Sequence, residues 1–250
     1  MNKHLYKYIL EIADNCLILG QRLGELCGHG PSLETDIACT NLSLDLLGQV
    51  RSYYQYAAKL RGEEATEDTI AFLRKEREYL NVLLVEQPNT DFAYVMARQL
   101  LFDTYHMLFL KELQKSHDVT LAAIADKSIK EVSYHLRFSS DWVKRLGDGT
   151  DESHQRIQNA FNDLWTFTNE LFQVTNAAEI MISKGIGVDN GMLREAYFKQ
   201  LEDILNEATL TVPDTEYFQK GGKDGIHSEH MGYILSDLQY MQRTYPNMQW

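Results

Sequence analysis

The sequence predicts an all-α protein of long helices, and three observations carry the prediction. The chain of 250 residues holds only four prolines, well under the usual share of about 5%, and proline is the residue that a helix interior tolerates least. Apolar residues recur at intervals of three and four, the period of a helix face, and no stretch shows the period-two alternation of a half-buried strand. Clusters of proline and glycine fall between these periodic segments.

The first helix is expected over about 3–27, where Ile9, Ile12, Cys16, Leu19, Leu23 and Leu26 share a stripe that stops at Gly28-His29-Gly30-Pro31. Ser32 is a natural N-cap for the second, and Glu34 and Asp36 meet the positive end of its dipole. That helix runs to about 60 with stripe Cys39, Leu42, Leu46, Gln49, Tyr53 and Tyr56, and ends before Gly62. A third is expected over roughly 67–86, stopped by Gln87-Pro88-Asn89. The fourth resumes near 91 with Phe92, Val95, Gln99, Asp103, His106 and Leu110 on one face, so a sharp bend joins the two. The fifth, 119–146, is capped by Asp118, turns Leu121, Ile124, Val132, His135, Trp142 and Leu146 inward, and halts at Gly147-Asp148-Gly149. Further helices are expected near 152–183, 190–209 and 227–244. Thr211 to Ile226, with Pro213, Gly221, Gly222 and Gly225, is the longest expected loop and is too short for a domain linker.

With no repeat and no low-complexity tract, one domain over 1–250 is the simplest account. Helices of some 25 residues are roughly 38 Å long, and several packed together form a long bundle. The excursion between the second and fourth helices, filled by the third, fits a ferritin-like bundle with one crossover and extra C-terminal helices. Hydrophobic residues make up 44% of the chain, enough for a sizeable core, which excludes a disordered or fibrous protein. A balance of 24 basic against 36 acidic residues, net -12, repels nucleic acid and anionic lipid. No stretch approaches the roughly 18 consecutive apolar residues of a membrane span, and the first residues lack a signal peptide's apolar segment, so the expected compartment is the cytoplasm. Cys16, Cys27 and Cys39 are odd in number, match no zinc-ligand spacing, and are expected to be reduced core thiols.

A helix bundle becomes a di-iron enzyme when carboxylates and histidines project inward, typically one Glu from each of two helices and Glu-x-x-His from each of the others. Spacing i, i+3 places both ligands on one face. The chain contains no Glu-x-x-His; its nearest substitutes are Asp103-x-x-His106 and Glu131-x-x-x-His135, with Asp45 a further carboxylate beside the second stripe. An autonomous di-iron oxidase would use Asp103, His106, Glu131 and His135 with Asp45. Against it, the first two stripes carry Cys16, Leu46 and Gln49 where iron asks for carboxylates and a histidine, and Val132 lies three before His135. These residue types favour a buried polar cluster of Asp103, His106 and His135, hydrogen-bonded to one another or to Gln49.

Other clusters carry weaker chemistry. His227, Glu229 and His230 follow a glycine-rich loop, have no third ligand at helical spacing, and read best as a surface cluster at a helix start. Arg74, Lys75 and Arg77, followed by Tyr79 and Asn81, form the densest basic run. It suits phosphates with Tyr79 stacked on a base, but is better explained as a solvated helix face with an Arg74–Glu78 pair. Lys220-Gly221-Gly222-Lys223 resembles half of an anion-binding loop. Gly-x-Ser-x-Gly, Walker and dinucleotide motifs do not occur, so hydrolase, NTPase and Rossmann readings have no support. Met231, Tyr233, Leu238, Tyr240, Met241, Tyr245 and Trp250 are of types enriched at interface cores, and suit equally a helix packed on its own bundle.

Five groups of residues, in order, carry a resemblance. They are Leu23-Gly24-Glu25-Leu26-Cys27-Gly28-His29; Leu44-Asp45-Leu46-Leu47-Gly48-Gln49; Leu84-Val85-Glu86-Gln87-Pro88-Asn89; Lys130-Glu131-x-x-Tyr134-His135-Leu136-Arg137; and Gly221-Gly222-Lys223 through His227-x-Glu229-His230 to Gln239-Tyr240-x-Gln242-Arg243 and Trp250. Nearly end to end, the chain resembles the C subunits of bacterial phenylacetyl-CoA epoxidases. The resemblance implies a ferritin-like structural subunit of a multicomponent, NADPH- and O2-dependent oxygenase of aerobic phenylacetate catabolism, without cofactor or catalytic residues of its own. It implies a related A subunit that holds the di-iron centre and the substrate, and a reductase subunit with FAD and a 2Fe-2S cluster. On the catalytic pattern, Leu46 and Gln49 fall where one Glu-x-x-His would be and Val132 and His135 where the other would be. Asp103 falls at the carboxylate of the third bundle helix, so Asp103 and His135 are remnants of a lost metal site. Arg77, Glu78, Tyr79, Leu80 and Asn81 are expected to border the CoA tail of a substrate held by the partner. The rival readings are the autonomous oxidase and a free-standing acyl-CoA-binding module.

Overall fold

The computed structural model describes residues 2–62, 64–246 and 248. Among these, all regular structure is helical: α1 (Lys3–Glu25), α2 (Leu33–Arg61), α3 (Glu67–Phe72), α4 (Phe92–Leu113), α5 (Val119–Gly147), α6 (Asp151–Leu164), α7 (Asn176–Ser183), α8 (Arg194–Glu207) and α9 (Glu229–Thr244). Short 3-10 turns lie at Glu76–Glu78, Leu83–Glu86, Trp165–Phe172, Asn190–Leu193 and Gly222–Asp224. No helix of the described residues is long and apolar enough to cross a membrane. The chain divides into two compact units, Met1–Glu86 with Gly221–Trp250, and Gln87–Lys220.

In the first unit α1 packs along α2, and α3 and α9 complete it. The α1 stripe from Ile9 to Leu26 is buried as its periodicity predicts. Ser32 caps α2 by accepting from Thr35 N at 3.3 Å. Asp36 does more than meet the dipole, because its Oδ1 accepts from Gly28 N and Gly30 N and pins the turn before the helix. Those backbone bonds hold its carboxyl below the ordinary range. Cys16 and Cys39 are buried as expected, whereas Cys27 is exposed at the end of α1; all three are thiols.

The helix expected over 67–86 is not continuous. It stops at Phe72, and the chain crosses α1 as an irregular strap with two 3-10 turns. The cause lies far away in sequence: the Asp14 carboxylate accepts from Leu80 N at 2.8 Å and Asn15 Oδ1 accepts from Val82 N at 2.8 Å. Side chains of α1 thus take the place of the helical carbonyls, and backbone donors that must be satisfied are satisfied outside a helix.

In the second unit α4 is the central element. It is buried on every side from Val95 to Met107, its polar Arg98, Gln99, Asp103, Thr104 and His106 included. α5, α6 and α8 pack against it. Asp91 caps α4 through Tyr94 N and Asp118 caps α5 through Thr120 N and Leu121 N. The helix expected over 152–183 is interrupted. From Trp165 to Phe172 the chain tightens to 3-10, whose three-residue repeat aligns Trp165, Thr168 and Leu171, all buried. Phe172 then meets Tyr197 edge-on with ring centroids 5.1 Å apart, so aromatic packing with α8 accompanies the tighter winding.

Candidate functional site

The residues that a metal centre of this kind would recruit fall in both units, and each unit holds its share in a different state. In the first, Cys16 on α1 lies beside Gln49 on α2, its thiol 4.0 Å from Oε1, and Leu46 is fully buried one turn earlier. A thiol facing a carboxamide, beside a leucine, offers no carboxylate to a hard cation. Asp45 is half-buried.

In the second unit α4 and α5 bring together Asp103, His106 and His135, all buried. Both Asp103 oxygens are occupied: Gln99 Nε2 donates to Oδ1 at 2.7 Å and Ser139 Oγ to Oδ2 at 2.9 Å. Burial pushes the Asp103 carboxyl up to about 6 against the pull of His135, Ser139 and Gln99. Burial likewise pushes His106 down to about 3, with His135 adding to the effect, so His106 is a neutral imidazole at neutral pH. Val132 is fully buried where the carboxylate of a Glu-x-x-His would stand, and Glu131 is half-buried. Among the described residues no group of three or more His, Cys, Asp and Glu side chains is gathered to hold a metal ion. These residues do not fit a di-iron centre. Ser139 carried no signal in the sequence, whereas Gln99 lay on the stripe one turn before Asp103.

The basic run of the first unit is rebuilt by the strap. Arg74 is only 5% exposed, and instead of pairing with the Glu78 carboxylate it grips Asp14 through two nitrogens at 2.6 and 2.8 Å. It also donates to Tyr54 Oη, Ile70 O and Glu78 O, while Tyr54 Oη donates to Asp14 at 2.5 Å. Tyr79 is fully buried with its ring 4.0 Å under the Arg74 guanidinium, so no base can stack on it. Its hydroxyl donates to Ala71 O and accepts from Gln239, and burial lifts it to about 12. Leu80 and Asn81 are buried too; of the five residues from 77 to 81, Arg77 and Glu78 face solvent.

The C-terminal cluster also differs from its expectation. His227 does not lie on the surface: its side chain is enclosed, with Nδ1 2.6 Å from Glu86 Oε1 and Nε2 3.0 Å from Tyr79 O. Glu229 is exposed and His230 half-buried. Lys223 is 3% exposed, so Lys220-Gly221-Gly222-Lys223 presents no second cation to a solution anion. Gly222 passes so close to the strap that a Cβ would run into the Asn81 carbonyl oxygen, and Gly225 at φ 73° lies against Arg77 O. On α9, Met231, Ile234 and Leu235 face inward while Tyr233 and Tyr240 stand 74% and 57% exposed. Helix packing and an outward aromatic face therefore share these residues; Trp250 lies outside the described residues. Sequence reasoning missed Asp14, Asn15 and Glu86 as organising groups. A run of Glu11, Asp14 and Asn15 inside an otherwise apolar helix was the available signal.

Comparison with known proteins agrees along the whole chain. The family model described as Phenylacetic acid catabolic protein matches residues 1–250. Over 246 residues, 98% of this chain and 99% of the other protein, the sequence is 50% identical to the C subunit of the 1,2-phenylacetyl-CoA epoxidase of Escherichia coli (strain K12).

Proposed function

Since the chain belongs to the Phenylacetic acid catabolic protein family, whose fold is ferritin-like, we propose that it is the C subunit of a 1,2-phenylacetyl-CoA epoxidase and acts there as a structural, non-catalytic partner. The observation that carries this reading is the 50% identity over nearly the full length of both chains. The family match over 1–250 supports treating the two units as one domain. In this reading a related A subunit supplies the di-iron centre and the pocket for phenylacetyl-CoA, and a reductase subunit with FAD and a 2Fe-2S cluster delivers electrons from NADPH. The assembly works in the cytoplasm.

The task left to this chain is mechanical. A catalytic constellation works only when the helices that bear it are held to about half an ångström, and a rigid sister bundle provides that support. Exposed apolar side chains supply candidate contacts, with Leu33, Ile37 and Leu44 along α2, Tyr233 and Tyr240 on α9 and Tyr245 just after it. Of the segment 77–81, Arg77 and Glu78 are accessible to the CoA tail of a substrate bound next door, and Tyr79, Leu80 and Asn81 shape the strap that presents them. The test is to make the catalytic subunit with and without this chain. Poor solubility or lost epoxidation without it is expected, and full activity without it would overturn the reading. Acyl-CoA affinity of the complex should weaken in Arg77→Ala, and an unchanged affinity removes the bordering role.

A further inference from the structure

The buried contacts of His227 define a site with its own protonation requirement. Nδ1 faces a carboxylate oxygen of Glu86 at 2.6 Å, and Nε2 faces the carbonyl oxygen of Tyr79 at 3.0 Å. Both are acceptors. A neutral imidazole carries one N–H, so it satisfies one of them and turns a lone pair on the other; only the imidazolium donates to both. The carboxylate is equally constrained. Its other partners are Asn81 Nδ2 at 2.8 Å, Ser228 N at 2.8 Å and Ser228 Oγ at 2.6 Å, all able to donate. With the imidazole, four groups able to donate converge on the two fully enclosed oxygens of Glu86.

We propose that His227 and Glu86 form a proton-dependent clasp that holds the N-terminal end of α9 on the strap of the first unit, closed while the imidazole is doubly protonated and loosened when it is neutral. The groups around the pair are of both signs, acidic ones favouring the charged ring and basic ones opposing it. Burial is the largest single influence and favours the neutral ring, but the Glu86 hydrogen bond and charge, the Tyr79 carbonyl and, on the strap, the Glu76 charge together outweigh it and raise the imidazole above its ordinary value. From α1, Arg22 donates through Nε and a terminal nitrogen to the Glu86 carbonyl at 3.0 and 2.7 Å, on the backbone side of the carboxylate. Arg74 is committed to Asp14. Glu229 and His230 open α9, exposed and half-buried, and Lys223 sits in the preceding turn.

The far end of α9 is anchored differently. Gln239 donates to Arg74 O at 2.9 Å and Tyr79 Oη at 2.8 Å, and Arg243 donates to Arg74 O at 3.0 Å. None of these groups changes charge near neutral pH. Loss of the His227 proton therefore removes one of the two imidazole bonds and loosens that end of the helix, which keeps the Ser228 bonds to Glu86, while the other end stays fastened. Because the folded imidazole is raised, the clasp is complete below about pH 6.5 and is lost as the pH rises through the raised value. Across that window its closing constant falls by about tenfold per pH unit. Tyr233 stands on the loosened end, so protonation sets how firmly that aromatic face is presented.

The test is amide exchange by mass spectrometry on the full chain from pH 6 to 9, corrected for intrinsic exchange chemistry, with 15N spectra of histidine-labelled protein. Protection of 226–236 is expected to fall with rising pH while that of 237–244 holds, and the His227 nitrogens should both carry protons at pH 6.5. In His227→Gln, protection of 226–236 should be low and independent of pH. Equal protection of 226–236 at pH 6 and 9 in the natural protein, or a neutral His227 at pH 6.5, overturns the clasp. The 15N titration needs no variant and decides the matter even if the substitution fails to fold.

Discussion

Removing the Asp14 carboxylate should cost a large part of the stability of the first unit. In Asp14→Ala four donors lose their acceptor: two Arg74 nitrogens, Tyr54 Oη and Leu80 N, at 2.5 to 2.8 Å. The guanidinium is left 5% exposed and without its counter-charge. Breaking a buried ion pair by deleting one partner costs about 3–5 kcal/mol, a sizeable share of the roughly 5–15 kcal/mol that separates folded from unfolded states. For a chain of this size each kcal/mol moves the melting temperature by about 2–4 °C, so the expected fall is roughly 6–20 °C. Arg74→Ala should cost a similar amount, because it strands Asp14. The double variant should cost much less than the sum, since neither charge then remains buried alone. Urea unfolding followed by far-ultraviolet circular dichroism, with amide exchange of 79–86 as the local readout, measures all three. A cost under about 1 kcal/mol for Asp14→Ala, or costs that simply add, would refute the idea that the pair organises the strap.

Three further outcomes are expected. The first concerns Asp103 and His106, which respond oppositely to acid. Asp103, raised to about 6, contributes stability that is lost as pH rises through 6; His106, lowered to about 3, contributes stability that is full above about 6.5 and lost as pH falls. Asp103→Asn should therefore make urea stability fall more steeply between pH 6 and 4, by up to about 1.4 kcal/mol per unit, and His106→Leu should reverse the trend; parallel profiles in all three proteins would show the reasoning to be wrong. The second compares two glycines. Gly222→Ala drives a methyl into the Asn81 carbonyl and should cost about 1–3 kcal/mol, whereas Gly232→Ala, whose methyl would sit 3.8 Å from Glu76 Oε2, should be neutral or stabilising by up to about 1 kcal/mol in a thermal melt. The third is metal content. Purified from iron-replete medium, the chain should hold far less than about two irons by plasma mass spectrometry, and close to two would revive the autonomous oxidase.

The long helices were legible because their signals are local. The stripes of α1, α2, α4 and α5, the Ser32 and Asp118 caps and the glycine stops all act within a few residues of where they are read. The strap was not legible, because nothing between 67 and 86 breaks a helix. What ends α3 is a pair of acceptors on α1, Asp14 and Asn15, more than sixty residues away. The tightening at Trp165–Phe172 has a similarly distant companion in the rings of α8. At the candidate sites, residue types told what chemistry was missing, since Leu46 and Val132 stand three residues before Gln49 and His135, where a Glu-x-x-His would need its carboxylate. Types did not tell which side chains are enclosed. Tyr79 and His227 look like surface groups in sequence, and only the return of the C-terminal segment to the first unit covers them.

That return makes the first unit discontinuous along the chain and sets an order of events during synthesis. Leaving the ribosome, α1, α2 and the strap must wait for Gly221 onward before Glu86 meets His227 and Arg74 O meets Gln239. All of Gln87–Lys220 is made in between and is contiguous. At about 5–20 residues per second the delay is roughly 7 to 27 seconds, during which the later-made unit can fold while the earlier one exposes Glu86, Tyr79 and the apolar floor of α9. The N-terminal unit is the one that matures last, and a ribosome stalled near residue 220 would release a chain whose flaw lies at its beginning.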